Sequence, residues 1–318
     1  MTIISYYSDG KLHRLSAQPA SRLTARAPRR GTRAAESRTT GPMAMRALLS
    51  QSDRVETLMH EVSESQTLIA VPPQKGPAVV PTPTLLLEGT GKANLRRISN
   101  EFGVEVIHEG REGKMLLQAK EGGAKGVEIA AAAARKAYKE GYARIAHPNF
   151  LRVMTHIKPS AAGGEPLWNH SNDGNPGVIG ADVAAAAAWT ITQGDADIRV
   201  AVLDEGVDTK HPALKPAVVA EKDFVDGNPT AAPDANDAHG TACAGIILSR
   251  SSSTPGLAPK CSLVAVRIAK GDGNDGWIID DYQTADAIDW SWKEAKADVL
   301  SNSWGGGPPV DGVTAAFT

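Results

Sequence analysis

Three short apolar runs constrain this chain more than any other feature. Ile198-Arg-Val-Ala-Val-Leu203, Cys261-Ser-Leu-Val-Ala-Val-Arg267 and Asp298-Val-Leu-Ser-Asn302 are near-continuous rather than alternating, which suits strands of a sheet covered on both faces. Helical stretches lie between them. His239–Leu248 is one. Ile278–Ala295 is another, with Tyr282, Ala285, Ile288, Trp292 and Ala295 recurring on one face. Strands alternating with helices predict a parallel, doubly wound α/β sheet. Such sheets place their chemistry at the carboxyl ends of the strands.

Those ends carry informative residues. Asp204 closes the first run, in Val-Leu-Asp-Glu-Gly-Val-Asp-Thr-Lys-His-Pro, and Gly206 allows a sharp exit. His239 stands at a helix start in Asp237-Ala-His-Gly-Thr-Ala-Cys-Ala-Gly245, with Gly240 and Gly245 permitting close packing. Ser301-Asn-Ser-Trp-Gly-Gly-Gly307 ends the third run, an extended Gly-rich edge that a peptide can pair with by strand addition. Alone, Asp204 reads as a turn residue and His239 as a helix-start histidine with a structural hydrogen bond. Together they read as a catalytic pair.

The three motifs, in this order, resemble those of the subtilisin-like serine proteases, the subtilases (peptidase S8). The resemblance runs from about residue 80 to the end. It implies an Asp/His/Ser triad in which Asp204 orients the imidazole and His239 is the general base. It also implies a substrate cleft lined by Ser301, Ser303, Trp304 and Gly305, and a polypeptide substrate. The family's nucleophile motif, Gly-Thr-Ser-x-Ala-x-Pro, occurs nowhere in the 318 residues. The chain therefore reads as the N-terminal portion of a serine endopeptidase, with an incomplete subtilisin-like domain and no activity as written. The alternative is a peptide-binding pseudoprotease or inhibitor-like module without catalysis. Glu205 replaces the family's usual Ser or Thr, and is expected to raise the pKa of His239 by charge.

Cofactors are not expected, and the metal assignment is none: Asp204, His211, His239 and Cys243 have no dense ligand spacing for zinc. The resemblance raises calcium as a structural ion at the Asp-rich loop Asp223–Asp237, whose plainer reading is a solvated acidic loop. Cys243 and Cys261 read as small buried apolar residues. His211, before a proline, reads as structural.

The chain divides before this domain. Residues 1–50 hold nine basic side chains against two acids, without a sustained period, and are expected to form a disordered basic leader. Residues 51–157 form a small domain. Within it, strands at Leu85–Leu87, Val104–Ile107, Lys114–Ala119 and Ala143–Ala146 frame helices at Lys92–Phe102 and Gly126–Glu140. This β-α-β-β-α-β order is that of ferredoxin-like α+β domains, and its position resembles the family's propeptide, an intramolecular chaperone and inhibitor. Gly89-Thr-Gly-Lys92 lacks the spacing of a phosphate loop. Residues 158–166 read as a linker, and 167–318 as the peptidase portion, which holds all six tryptophans. A net charge of −2 argues against a nucleic-acid protein. Apolar runs far short of ~20 residues argue against a membrane span. The first residues carry no legible secretory signal, and localisation stays open.

Overall fold

The structure, a computed structural model, describes residues 2–8, 10–19, 68–70, 79–155, 167–175, 177–235, 237–271, 276–305 and 310–317. Strands β1 (Thr2–Ser8), β2 (Lys11–Pro19), β3 (Leu68–Ala70) and β4 (Val79–Glu88) come first. They are followed by α1 (Lys92–Phe102), β5 (Val104–Glu109), β6 (Lys114–Ala119), α2 (Gly123–Lys139) and β7 (Ile145–Thr155). Next come α3 (Ala185–Trp189), β8 (Arg199–Asp204), β9 (Val218–Asp223), α4 (His239–Leu248) and β10 (Ser262–Arg267). The remainder is β11 (Ala269–Gly271), β12 (Gly276–Asp280), α5 (Asp281–Lys293), β13 (Val299–Asn302) and α6 (Asp311–Ala316). Two compact units result. One comprises Met1–Thr155, Gly271–Asp289 and Gly305–Thr318; the other comprises His156–Lys270 and Trp290–Trp304.

In the first unit β4 lies between β6 and β7, all antiparallel, and β5 pairs with β6. The sheet order β5-β6-β4-β7, with α1 and α2 as connections, follows the β-α-β-β-α-β sequence of elements. α1 stops at Gly103, which adopts φ 63° and returns its N–H to Ser99 O, a left-handed closure that glycine makes without steric cost. α2 buries Val127, Ala130, Ala131, Ala134 and Ala137 along one face. This small-residue stripe lets the helix lie close on β4 and uses the best helix former. β7 continues past Pro148, where the sequence predicts a stop. The proline sits opposite Leu85 at an irregularity in the β4–β7 register, a position where its missing N–H breaks no regular ladder.

The leader differs from expectation. Residues 2–19 are not disordered: β1 and β2 form an antiparallel hairpin, and β2 continues through β3 to β4. The reason is period-2 burial. Ile4, Tyr6, Leu15 and Ala17 enter a core with Val79, Val127 and Phe150, while Lys11 and Arg14 face solvent. Averaging charge over fifty residues hid that alternation. Residues 20–67, and the expected linker 158–166, lie outside the described residues.

The first unit also takes in two segments that the sequence places in the peptidase portion. β12 pairs antiparallel with the end of β7, Gly276 opposite Thr155 and Asp280 opposite Leu151. The sequence predicts helix from Ile278. Instead Trp277 and Ile279 alternate inward as a strand, and the helix starts at Asp281. A row of acids along α5 meets bases from the small domain. Arg152 binds Asp281, Arg111 Nη1 lies 2.8 Å from Asp286 Oδ2, and the buried Lys114 binds Asp289. Near α6, His147 is fully buried. Its Nδ1 lies 2.8 Å from Pro148 O, and its Nε2 receives the Gly312 N–H at 3.0 Å. A carbonyl needs a donor and an N–H an acceptor, so the ring is held as the neutral Nδ1–H tautomer. Burial accordingly pushes its pKa down.

In the second unit β13, β8, β10 and β9 form a parallel sheet in that order. Val200, Val202, Leu263 and Ala265 point into a core closed by Ala244 and Leu248 of α4. β9 was not foreseen, because Val-Val-Ala-Glu-Lys-Asp has too weak an apolar run. Val219 at 51% and Val299 at 50% exposure mark the two outer strands. Among the described residues no helix is long and apolar enough to cross a membrane.

Candidate active site

β8 is buried throughout its last five residues, and it ends on Asp204 at 0% exposure. An acid at that point is held by the rigidity of a central strand. Asp204 lies opposite Arg267 in the β8–β10 register, and its carbonyl receives the Ile268 N–H at 2.8 Å. The chain leaves through Gly206 at φ 117°, where a Cβ would lie 2.8 Å from Ala231 O and Pro233 N. Only glycine fits both that angle and that gap.

α4 brings His239 to this acid. Its second residue, Gly240, passes so close that a Cβ there would stand 2.8 Å from Asp204 Cβ and would strike Gly206 O. His239 Nδ1 then lies 2.9 Å from Asp204 Oδ1 and 3.1 Å from Oδ2. The Asp204 carboxylate, almost wholly removed from water, holds the imidazolium, and the neighbouring Cys243 adds to the effect. Together they push the His239 pKa up to about 10 against the opposing pull of burial. Gly240→Ala is expected to force the helix start off Asp204 and to cost about 1–3 kcal/mol by overpacking. Urea unfolding checks this, and a loss below half that range would show that the approach is not tight.

Glu205 meets His239 through the backbone: its Oε1 receives the main-chain N–H of His239 at 2.7 Å, and the largest cause of the raised pKa is the Asp204 carboxylate. Cys243 is a correction. It is half-buried rather than a core residue, and its Sγ stands 3.9 Å from both ring nitrogens of His239, because positions i and i+4 share a helix face. Cys261 is buried as expected.

Asp204, His239 and Cys243 offer donor atoms within 4.8 Å of one another. His211 is not in that group; its Nδ1 receives the Ala213 N–H at 3.2 Å, the structural role its sequence context suggests. The Asp-rich loop does not fit calcium. The buried Arg267 guanidinium fills it, with Nη1 3.0 Å from Asp223 and 2.8 Å from Asp226, and Nη2 3.0 Å from Asp234. Asn228 also donates to Asp223 at 3.0 Å. A planar cation already neutralises these carboxylates. Arg267 was missed in the sequence, where one signal was available: a single charge closing an otherwise apolar strand.

Of the expected cleft residues, Ser301 lies in β13, opposite Val202 of β8. Trp304 donates its indole N–H to Leu203 O at 2.9 Å, one residue before Asp204. Ser303 and Gly305 are exposed. A separate open cavity of about 840 Å³ runs beside α4, lined by Asp208, His211, Thr241 and Ile246 among others, and does not include Asp204 or His239.

A buried carboxylate thus meets the Nδ1 side of a histidine at the carboxyl end of a parallel sheet, where sheets of this kind place their chemistry. Residues 195–316 match the model of the subtilase family (peptidase S8). Thermitase of Thermoactinomyces vulgaris is 36% identical over 127 residues, 39% of this chain and 43% of thermitase. A calcium-dependent protease of Nostoc is 28% identical over 191 residues, 56% of this chain and 25% of that protein. Fervidolysin of Fervidobacterium pennivorans, a keratinolytic enzyme related to subtilisin, superposes with a TM-score of 0.55 at 21% identity, over 78% of this chain and 39% of its own. That likeness establishes a subtilisin-like α/β fold. The chain spans less than half the length of each of these proteins.

Proposed function

We propose that this chain is the prodomain and N-terminal peptidase portion of a subtilisin-type serine endopeptidase that cleaves polypeptides. Asp204 is the orienting acid and His239 the general base. Ser301, Ser303, Trp304 and Gly305 line the substrate cleft. The observation that carries the reading is the 2.9 Å contact between His239 Nδ1 and Asp204, inside the segment that matches the family. In this reading turnover requires a nucleophile of the Gly-Thr-Ser-x-Ala-x-Pro kind, since in subtilisin itself loss of the serine alone lowers turnover by roughly 10⁶-fold.

Residues 51–157 act as the intramolecular inhibitor. The support is the antiparallel pairing of β7 with β12 and the bases aligned on Asp281, Asp286 and Asp289. Strand pairing of this kind is how an extended segment occupies a sheet edge without being consumed.

A fluorophosphonate probe tests the assignment. The chain alone is expected to label no more than its His239→Ala variant. Extended in frame with a segment carrying Gly-Thr-Ser-x-Ala-x-Pro, it is expected to label at that serine and to lose labelling with His239→Ala. Labelling indifferent to His239 in the extended protein would overturn the triad.

A further inference from the structure

We infer that Glu205 is the positioning residue of this centre, fixing the main chain of His239 so that the imidazole meets Asp204. The inference rests on the reading of His239 as general base and adds to it the residue that places it. α4 begins without a side-chain cap of its own, because Ala238 occupies the N-cap position. The first N–H groups of a helix have no partner within it. Glu205, the residue that follows β8, supplies one, its Oε1 2.7 Å from His239 N.

The bonds around this residue close a ring. The Glu205 N–H donates to Asp204 Oδ1 at 2.9 Å. The same Oδ1 lies 2.9 Å from His239 Nδ1. The His239 N–H returns to Glu205 at 2.7 Å. Two consecutive residues of one strand end thus grip the histidine twice, Asp204 by its ring and Glu205 by its backbone. Glu205 is 0% exposed, so water does not compete for the bond. Asp204 fixes the ring and Glu205 fixes the backbone that carries it, which sets the orientation of the imidazole along with its position.

The test uses the full chain with ¹⁵N-labelled histidine. In the wild type, the His239 Nδ1 proton gives a downfield resonance, and the His239 amide is protected from exchange. Glu205→Ala is expected to abolish the ring resonance and to speed amide exchange about 10- to 100-fold, with far-UV circular dichroism unchanged. Glu205→Gln, which keeps an acceptor oxygen, is expected to restore the ring resonance. An unmoved ring resonance in a folded Glu205→Ala protein would overturn the inference. Should Glu205→Ala not fold, Glu205→Gln and Glu205→Asp decide: the first is expected to keep the resonance and the second, a methylene shorter, to lose it, and equal behaviour overturns the proposal. Asp204→Asn separates the two readings. If it leaves the ring resonance in place, the catalytic-pair reading fails; if it removes the resonance while Glu205→Ala does not, only the role of Glu205 fails.

Discussion

Asp204→Asn is expected to bring the titration midpoint of His239 down from about 10 toward the ordinary 6.5. The cause is local. The Asp204 carboxylate is buried and lies against Nδ1, where an opposite charge favours the protonated ring. Asparagine keeps the shape and removes the charge. Cys243, with its Sγ 3.9 Å from both ring nitrogens, keeps a smaller share of the effect. The sign for stability follows from linkage. The folded state holds the His239 proton more tightly than the unfolded chain, so the stabilisation is fully present below pH 6.5 and is lost as pH rises through about 10. The variant loses this slope. Following the ring C2 proton by NMR from pH 5 to 11 measures both midpoints, and an Asp204→Asn midpoint that stays near 10 would refute the coupling.

Lys114→Met is expected to carry the largest stability cost, about 3–5 kcal/mol. Lys114 and its acids are almost wholly buried: side-chain exposure is 2% for Lys114, 2% for Asp289 and 3% for Glu88. Glu88 also binds Arg144. Removing the lysine charge leaves the Asp289 carboxylate buried and short of its cation, and desolvation of that charge is no longer offset. The double variant Lys114→Met/Asp289→Leu is expected to recover most of the loss, because two apolar side chains of similar volume need no charge compensation. Urea denaturation of the full chain compares the three proteins. A single-variant cost under 1 kcal/mol would mean that water reaches the pair.

The same acids tie α5 to the small domain. Asp281, Asp286 and Asp289 recur along α5, and each meets a base from that domain. The pairing is one of charge as well as of strand edge. It was not visible beforehand, since Arg111, Lys114 and Arg152 are scattered along the sequence and only the sheet aligns them.

What the sequence determined by itself is set by short-range rules. The apolar runs of β8, β10 and β13, the Gly103 stop of α1, and the Asp204 and His239 motifs each depend on neighbours within a few residues. Their element boundaries lie close to those expected from the sequence. The hairpin at residues 2–19 was in principle legible too, through the alternation of Ile4, Tyr6, Leu15 and Ala17, but bulk charge concealed it. Tertiary structure alone decided the partners. That Arg267 neutralises Asp223, Asp226 and Asp234, that Glu205 meets the His239 backbone, and that Cys243 faces the imidazole depend on packing across distant segments. A side chain's reach and its loss of water are properties of the folded neighbourhood, and the order of residues along a chain does not contain them.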